Sequence, residues 1–212
     1  ARSRMPRSRG GWRGGSGGAA CEVSVCVGFR RYCGFPESAG GLFVSGGSVA
    51  NLTALHAARC AKLSGRLDGA TIYFSDQTHY SVERGLHVLG FAREQFRKIP
   101  SDDRFRLPLE VLRAAIRADK KAGLRPFWVV ANAGTTNTGA VDPLPEPANI
   151  CTAENSCLCA AGAYGAATRI RCAGRARPGA RAAQGAYSRF CSSVPALRRD
   201  SAPPNSRMIS AG

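Results

Sequence analysis

The sequence predicts an α/β fold in which helices cover both faces of a mainly parallel sheet. Short β-branched and aromatic runs, typical of buried strands, alternate with segments of helical periodicity. One run, FWVVAN at 127–132, is almost continuously apolar, as expected of a strand covered on both faces. Hydrophobic residues make up 44% of the chain, which is enough for a core. Because strands that alternate with helices form parallel sheets, these observations together favour the α/β class.

Strand and helix positions can be predicted in chain order. Strands are predicted at 22–27, 70–75, 96–99 and 127–132. Helices are predicted within 42–59, from Val82 to about Gly90, over 108–121, and over the proline-containing stretch 143–154. The third helix is the most clearly bounded, since Pro108 opens it and Gly123 follows its final lysines. Residues 133–139 are predicted to form a polar turn after the last strand.

The net charge of +16 is concentrated at the two ends of the chain. Residues 1–40 carry +5 and residues 162–212 carry +8, whereas the middle carries only +3, a balance typical of a cytoplasmic enzyme. We therefore divide the chain into a low-complexity basic segment (1–33), an α/β domain (34–167) and an Arg/Ala/Pro-rich tail (168–212). Residues 1–20 and 168–212 lack periodic apolar residues and are expected to be disordered.

The basic N-terminal segment has three interpretations. It is a flexible tail, an Arg/Gly-rich arm that binds nucleic acid, or a transit peptide, and the flexible tail is the default because the segment lacks an amphipathic apolar face. No apolar run approaches membrane-spanning length, so no membrane partner is expected. The nine cysteines include no Cys-x-x-Cys pair and accompany only three histidines. This usage indicates scattered reduced thiols rather than a zinc site or a disulfide framework.

Three polar segments are expected to meet at one edge of the sheet. The turn 45–48 opens the first predicted helix of the domain, and Ser48 is its predicted N-cap. Segments 76–79 and 134–136 each follow a predicted strand. Ligands of parallel sheets collect at the carboxyl ends of the strands. The free N–H groups of a helix start attract phosphate, and Gly46 and Gly47 would let the backbone approach it closely. No histidine–carboxylate pair accompanies the serines, which excludes a serine nucleophile.

Four sequence blocks resemble the group II pyridoxal-phosphate-dependent amino-acid decarboxylases, the family of the aromatic amino-acid decarboxylases. They are GLFVSGGSVANLTALHAAR (41–59), YFSDQTHYSVERGLHVLGF (73–91), FWVVANAGTTNTGAVDPL (127–144) and the weaker GAYGAA (162–167). The resemblance implies that residues 34–167 are part of the large domain of the aspartate-aminotransferase-like fold (fold type I). It also implies pyridoxal 5'-phosphate as cofactor, an amino-acid substrate, and a homodimer with active sites at the subunit interface.

Seven residues match cofactor-site positions of that family: Gly46, Gly47, Ser48, His79, Thr136, Asp142 and Ala163. The resemblance implies that the first three bind the cofactor phosphate. It also implies that His79 stacks on the pyridine ring and helps position substrate, and that Thr136 is the active-site threonine. His79 and Thr136 are therefore the predicted catalytic residues. Ala163 would lie under the ring, and Asp142 would support the site from behind.

Two departures from the family pattern concern catalysis. Ala161 stands where the family has the aspartate that pairs with the pyridine nitrogen. Lysines occur only at 62, 98, 120 and 121, so the family's cofactor-anchoring lysine, expected some thirty residues after that position, is missing. We therefore expect this chain to be inactive as written. We hypothesise that a disrupted reading frame in GC-rich DNA replaced the sequence from about Ala167 onward, and the stretch before Gly34 is a second candidate for such replacement. A coding sequence in which no alternative frame restores an aspartate and a His-Lys motif would refute this.

Two functions from different classes therefore stay open. The first is a fragment of a pyridoxal-phosphate-dependent decarboxylase. The second is a non-catalytic protein that binds RNA or other polyanions through its Arg/Gly-rich ends. Salt-sensitive RNA binding that disappears when both ends are trimmed would favour the second, which we rank lower because aromatic residues are sparse in these ends.

Overall fold

The structure is a computed structural model that describes residues 16–32, 37 and 39–163. Its helices are α1 (Ser16–Tyr32), α2 (Gly47–Leu63), α3 (Ser81–Val88), α4 (Leu109–Lys121) and α5 (Pro145–Ala153). Its strands are β1 (Ala70–Ser75), β2 (Phe96–Ile99), β3 (Arg125–Asn132) and β4 (Cys157–Ala161). Within the described ranges, no helix is long and apolar enough to cross a membrane.

The four strands form one sheet in the order β2-β1-β3-β4, and all three neighbouring pairs are parallel. The α/β class predicted from the alternation of strands and helices is therefore confirmed. All four carboxyl ends point the same way because a crossover connects each strand to the next one along the chain. The register pairs Asn132, the last residue of β3, with Ala161, the last residue of β4. Polar groups that follow β1, β3 and β4 are thus brought to one edge.

Helices cover both faces of the sheet, and alternate strand residues face each layer. Ile72 and Phe74 of β1 pack in the same core as Leu55 of α2 and Leu86 of α3. The intervening Tyr73 packs on the opposite face, in a core with Leu112 of α4. Because β1 and β3 are buried on both sides, their sequences read as nearly continuous apolar runs.

The N-terminal prediction is wrong in two respects. Residues 22–27, predicted as a strand, lie within α1, and residues 16–20, expected to be disordered, form its beginning. The valines of this segment alternate as in a strand, but Val23 and Val25 are 46% and 53% exposed, so no sheet covers them. A helix satisfies its own backbone hydrogen bonds without a neighbouring strand. The rest of the expected disorder, at 1–15 and 168–212, falls outside the described residues.

Strand β4 was not predicted. Its sequence, Cys-Leu-Cys-Ala-Ala, contains no β-branched or aromatic residue and therefore gives little strand signal. Pairing with β3 buries Cys157 and Cys159 on one face and Leu158 on the other. This burial favours the strand despite the low intrinsic propensity. It also raises the pKa of the Cys159 thiol to about 12, which keeps that thiol protonated.

Candidate functional site

A cavity of about 330 Å³ opens at the carboxyl edge of the sheet, between the start of α2 and the ends of β1, β3 and β4. Glycine, alanine and neutral polar side chains form most of its wall, and His79 is the one ionisable residue among the described residues that line it. The lining residues are Gly47, Ser48, Asn51, Gln77, His79, Ser81, Asn132, Gly134, Thr135, Thr136, Ala161, Gly162 and Ala163. The three segments predicted to meet at this edge therefore do so.

The start of α2 forms one wall of the cavity. The first helical hydrogen bond joins the N–H of Ala50 to the carbonyl of Gly46 at 3.0 Å, so the N–H groups of Gly47 and Ser48 have no helical acceptor. The prediction of Ser48 as N-cap is wrong, because the helix starts at Gly47 and Gly46 is the N-cap without any side-chain cap bond. Ser48 instead lies in the first turn and lines the cavity.

The two glycines of this turn differ in what they contribute. Gly46 does not line the cavity, and its φ of 163° is extended backbone that any residue can adopt. Gly47 does line the cavity, and a Cβ placed there would lie 3.6 Å from the Cβ of Ala163. A methyl group would fit at that distance, but a longer side chain would fill the gap between α2 and Ala163. Of the two, Gly47 is the one that keeps the cavity open.

His79 enters the cavity from the turn between β1 and α3. Its Nδ1 lies 2.7 Å from the hydroxyl of Ser81 and accepts the backbone N–H of Ser81 at 3.2 Å. The ring centroid of Tyr80 is 4.4 Å from that of His79, at an interplanar angle of 38°. The guanidinium of Arg84 in turn lies 5.1 Å from the Tyr80 centroid. The imidazole is thus held at one nitrogen and over one ring face.

Asp142 lies behind the cavity and does not line it. Its carboxylate accepts the backbone N–H groups of Leu107 (2.7 Å) and Asn132 (2.6 Å) and the side-chain amide of Asn132 (3.3 Å). Burial raises the pKa of Asp142, and these three N–H donors only partly oppose that effect. The contacts fix the end of β3, from which Asn132 reaches the cavity. Thr136, four residues further on, lines the cavity and is exposed.

The end of β4 supplies the third wall. The carbonyl of Ala161 accepts the N–H of Ala133 at 2.8 Å, and Ala161, Gly162 and Ala163 follow one another along the cavity. No carboxylate and no lysine belongs to this wall or to the other lining residues of the described chain. Lys62 donates to Asn155, and Lys120 pairs with Glu154, both away from the cavity.

A comparison with protein families identifies the family to which the chain belongs. The pyridoxal-dependent decarboxylase conserved domain matches residues 30–172, about two-thirds of the chain. The chain belongs to this family. The resemblance stated from four sequence blocks is thereby confirmed.

Two curated relatives of this family member are amino-acid decarboxylases by name. The aromatic-L-amino-acid decarboxylase of Bacillus atrophaeus is 50% identical over 155 residues, which are 73% of this chain and 32% of that protein. The tyrosine decarboxylase of Oryza sativa subsp. japonica is 37% identical over 147 residues, covering 64% of this chain and 28% of the relative. The chain thus spans about a third of the length of these relatives.

Solved structures of family members share the fold. The glutamate decarboxylase domain of a Vibrio parahaemolyticus protein matches with a TM-score of 0.67 at 27% identity, covering 72% of this chain and 35% of that one. An Oryza sativa TDC solved with PLP matches with a TM-score of 0.62 at 30% identity, covering 66% and 34% respectively. The predicted fold type I is therefore confirmed.

The cavity of this decarboxylase-family chain fits one part of pyridoxal phosphate better than another. Free N–H groups at the start of α2, the hydroxyl of Ser48 and the open gap at Gly47 suit a phosphate group. The neutral wall at Ala161 offers no carboxylate to a ring nitrogen, and no amine reaches the cavity from the described residues. The residues therefore fit noncovalent binding of the phosphate and ring face, and they do not fit covalent attachment.

Of the seven predicted cofactor-site residues, five line the cavity: Gly47, Ser48, His79, Thr136 and Ala163. Gly46 precedes it and Asp142 lies behind it, and the roles of all seven stay predictions. Among the lining residues not singled out from the sequence are Asn51, Ser81 and Asn132. Asn51 was detectable, since it follows Gly47 by one helical turn and therefore shares its face. Asn132 ends an otherwise apolar strand, which is also a readable signal.

Proposed function

We propose that this chain is a fragment of a pyridoxal-phosphate-dependent amino-acid decarboxylase that can hold the cofactor but cannot catalyse decarboxylation as written. One observation carries the proposal. The α2 start, His79 and Thr136 meet in a single cavity, and the described residues that line it include neither a lysine nor a carboxylate. Residues that match the family's cofactor-binding positions thus line one cavity, and this supports binding of the cofactor without its covalent attachment.

The α2 wall would bind the cofactor phosphate. A helix start carries a partial positive charge, which attracts an anion within the first turn. The N–H groups of Gly47 and Ser48 have no helical acceptor and can donate to phosphate oxygens. The Ser48 hydroxyl, not used as a cap, supplies a further donor. No acidic residue lies in the first turn of α2, so nothing there repels the phosphate.

His79 and Thr136 would orient the ring and the substrate. Tyr80 packs against the His79 imidazole at a centroid distance of 4.4 Å, and a planar ligand in the cavity would pack against the imidazole as well. When bound, pyridoxal phosphate supplies an electron sink for the bond between the α-carbon and the carboxyl group of an amino acid. Thr136 is exposed at the cavity rim, where its hydroxyl can reach a ligand that enters. Asp142 would hold Asn132 and the β3 end in place.

Two missing groups explain the expected inactivity. A carboxylate beside the pyridine nitrogen would keep that nitrogen protonated and the ring electron-poor, and the methyl group of Ala161 cannot do so. A lysine amine would retain the cofactor covalently between turnovers. None of the four lysines of the sequence lines the cavity. Bound cofactor would therefore be exchangeable and weakly activated.

Titration of the purified chain with pyridoxal phosphate tests the binding half of the proposal. We expect saturable binding that inorganic phosphate competes away and that gel filtration removes. Gly47→Leu should weaken it at least about ten-fold, because the new side chain fills the gap at Ala163. Thr53→Ala is the matched α2 control, since Thr53 donates to the Val49 carbonyl and does not line the cavity. Equal affinities for these two variants would contradict the assignment.

Activity after gel filtration tests the catalytic half. We expect no CO₂ release from aromatic or acidic amino acids once free cofactor is removed. Sustained release would refute inactivity and would require an amine from one of the four lysines or from another chain. Because binding and turnover are measured separately, either half of the proposal can fail alone.

The proposal also covers the substrate, the oligomeric state and the location of the protein. An amino-acid substrate and a homodimer are proposed from family membership, and a cytoplasmic location from the charge balance of the middle of the chain. Sedimentation of the purified chain tests the homodimer. The RNA-binding alternative receives no support from the relatives, whose names are those of decarboxylases and aldehyde synthases.

A further inference from the structure

Behind the imidazole of His79 lies a chain of hydrogen bonds that connects two helices. The side-chain amide of Asn51, in α2, donates to the hydroxyl of Ser81 at 2.9 Å. That hydroxyl lies 2.7 Å from Nδ1 of His79, and the backbone N–H of Ser81 reaches the same nitrogen at 3.2 Å. Ser81 is the first residue of α3 and is buried, whereas Asn51 and His79 are half-buried at the cavity. The three side chains therefore act together.

The directions of these bonds determine the tautomer of a neutral His79. A backbone N–H can only donate, so Nδ1 must accept and carries no hydrogen. The Asn51 amide occupies the Ser81 oxygen as a donor, which leaves the hydroxyl hydrogen to point at Nδ1. Every hydrogen bond of the series is then donated in the direction from Asn51 toward His79. In neutral imidazole the remaining hydrogen must be on Nε2.

The second ring nitrogen of His79, Nε2, is the one left for a ligand of the cavity. Nδ1 is taken up by Ser81 and one ring face by Tyr80, whereas no group in the described part of the chain hydrogen-bonds Nε2. His79 lines the cavity, so the hydrogen on Nε2 is available to a ligand there. The cavity thus presents a donor at this position, which suits an anionic oxygen, and it would present an acceptor if the tautomer were reversed.

We propose that Asn51 and Ser81 are positioning residues that hold neutral His79 as the Nε2–H tautomer and so offer a hydrogen-bond donor to the cavity. The relevance to decarboxylation rests on the proposed function, but the tautomer is a property of the chain without cofactor. A failure to bind pyridoxal phosphate would therefore refute the proposed function and leave this assignment standing. An Nδ1–H tautomer would refute this assignment and leave the proposed function standing.

The test is ¹⁵N–¹H correlation NMR of the full chain with ring-labelled histidine, at pH about 9, where an ordinary histidine is neutral. The chain has three histidines, and His56→Gln and His87→Gln identify the other two signals, since both residues are exposed. The two ring nitrogens report directly which of them carries hydrogen. We expect the His79 signals of the wild type to be those of the Nε2–H tautomer.

Two variants interrupt the Asn51–Ser81–His79 hydrogen bonds at different points. Ser81→Ala removes the hydroxyl donor and should lower the ratio of Nε2–H to Nδ1–H about five-fold, the effect of one neutral hydrogen bond. Asn51→Asp is nearly isosteric but cannot donate, so the Ser81 hydroxyl should turn toward the new carboxylate and away from His79. We expect at least the same shift of the tautomer ratio. Thr53→Ala, in the same helix but bonded to Val49, should leave the ratio unchanged.

Each outcome decides the assignment. An Nδ1–H tautomer in the wild type overturns it, as does an Asn51→Asp ratio equal to that of the wild type or of Thr53→Ala. If Ser81→Ala does not give a folded spectrum because Ser81 is buried, Asn51→Asp decides alone, since it retains the volume of the side chain. A shift in both variants but not in the control supports the assignment.

Discussion

Two buried aspartates, Asp142 and Asp119, are stabilised in opposite ways. Asp142, behind the cavity, is held by N–H donors of Leu107 and Asn132, and no cation within the described part of the chain pairs with it. Asp119, in α4, accepts a bidentate bond from Arg97 at 2.9–3.0 Å and a hydrogen bond from the Tyr73 hydroxyl at 2.7 Å. Both residues are less than 10% exposed, so burial alone does not distinguish them.

Their pKa values move in opposite directions for a physical reason. Burial, the largest effect at both sites, disfavours the charged carboxylate. At Asp142 burial prevails over the N–H dipoles and raises the pKa. At Asp119 the hydrogen bonds and charge of Arg97, together with the Tyr73 hydroxyl, outweigh burial and lower the pKa. The carboxylate behind the cavity is therefore held by N–H dipoles, whereas the ion pair of Asp119 with Arg97 lies away from the cavity.

The largest effect is expected from Asp142→Ala. The change leaves the backbone N–H groups of Leu107 and Asn132 buried without an acceptor, at about 1–3 kcal/mol each. We expect the free energy of unfolding in urea to fall by about 3–5 kcal/mol. Asp103→Ala, at an exposed position, should change it by no more than about 0.5 kcal/mol. Similar losses in both variants would show that Asp142 does not anchor the end of β3.

Arg97→Leu should have the next largest effect. It leaves the Asp119 carboxylate buried without its cation, which costs about 3–5 kcal/mol for a fully buried pair. Since the Arg97 side chain is 27% exposed, solvent screening should reduce the loss to about 2 kcal/mol. Arg113→Leu, which removes an exposed pair with Glu110 at 3.8 Å, is the matched control and should be nearly neutral. If Arg97→Leu left the free energy of unfolding unchanged, Asp119 would not depend on its cation, and the contrast with Asp142 would be refuted.

The pH dependence should separate the two aspartates by sign. A lowered folded pKa means that Asp119 contributes stability above its unfolded value of about 4, lost as pH falls through the folded value. A raised folded pKa means that Asp142 contributes stability below about 4, lost as pH rises through the folded value. Each unit of difference is worth about 1.4 kcal/mol.

Urea titrations of Asp119→Asn and Asp142→Asn across pH 3 to about 7 measure these contributions. The stability advantage of the wild type over Asp119→Asn should shrink as the solution becomes more acidic. Its advantage over Asp142→Asn should shrink as the solution becomes less acidic. Parallel profiles for the two variants would contradict the assigned causes.

Tyr73→Phe should have the smallest effect. Burial is the main cause that raises the pKa of Tyr73, so its hydroxyl keeps its hydrogen and donates to Asp119. The substitution removes this bond but leaves the bidentate Arg97 contact, and a loss of about 1 kcal/mol is expected in thermal denaturation. Tyr80→Phe, whose parent residue is 61% exposed, serves as control. A loss as large as that of Arg97→Leu would mean that the tyrosine is the principal partner.

Elements formed by local interactions could be predicted from the sequence, whereas elements that depend on distant parts of the chain could not. Strands β1 and β2 were predicted with their observed bounds because β-branched and aromatic residues mark them locally. Segment 22–27 was wrongly predicted as a strand, because alternating valines indicate a strand only where a neighbouring strand exists. Strand β4 was missed because its burial depends on β3.

The site divides in the same way. His79 and Thr136 could be placed in one crevice because they follow strands of a parallel sheet. The Asn51–Ser81–His79 chain could not be predicted, since it depends on side chains thirty residues apart meeting between two helices. The contact of Asp142 with the Leu107 N–H spans thirty-five residues and is equally invisible in the local sequence.

The backbone bond that holds Ala161 has an evolutionary consequence. Its carbonyl accepts the Ala133 N–H whatever the side chain, so β4 needs no carboxylate to pair with β3. Selection on folding alone would therefore not oppose the replacement of an acidic residue by alanine at this position. An acidic side chain placed here would leave the pairing of the sheet unchanged, although the missing lysine would remain missing. The architecture of this edge and the chemistry of its side chains are thus set independently.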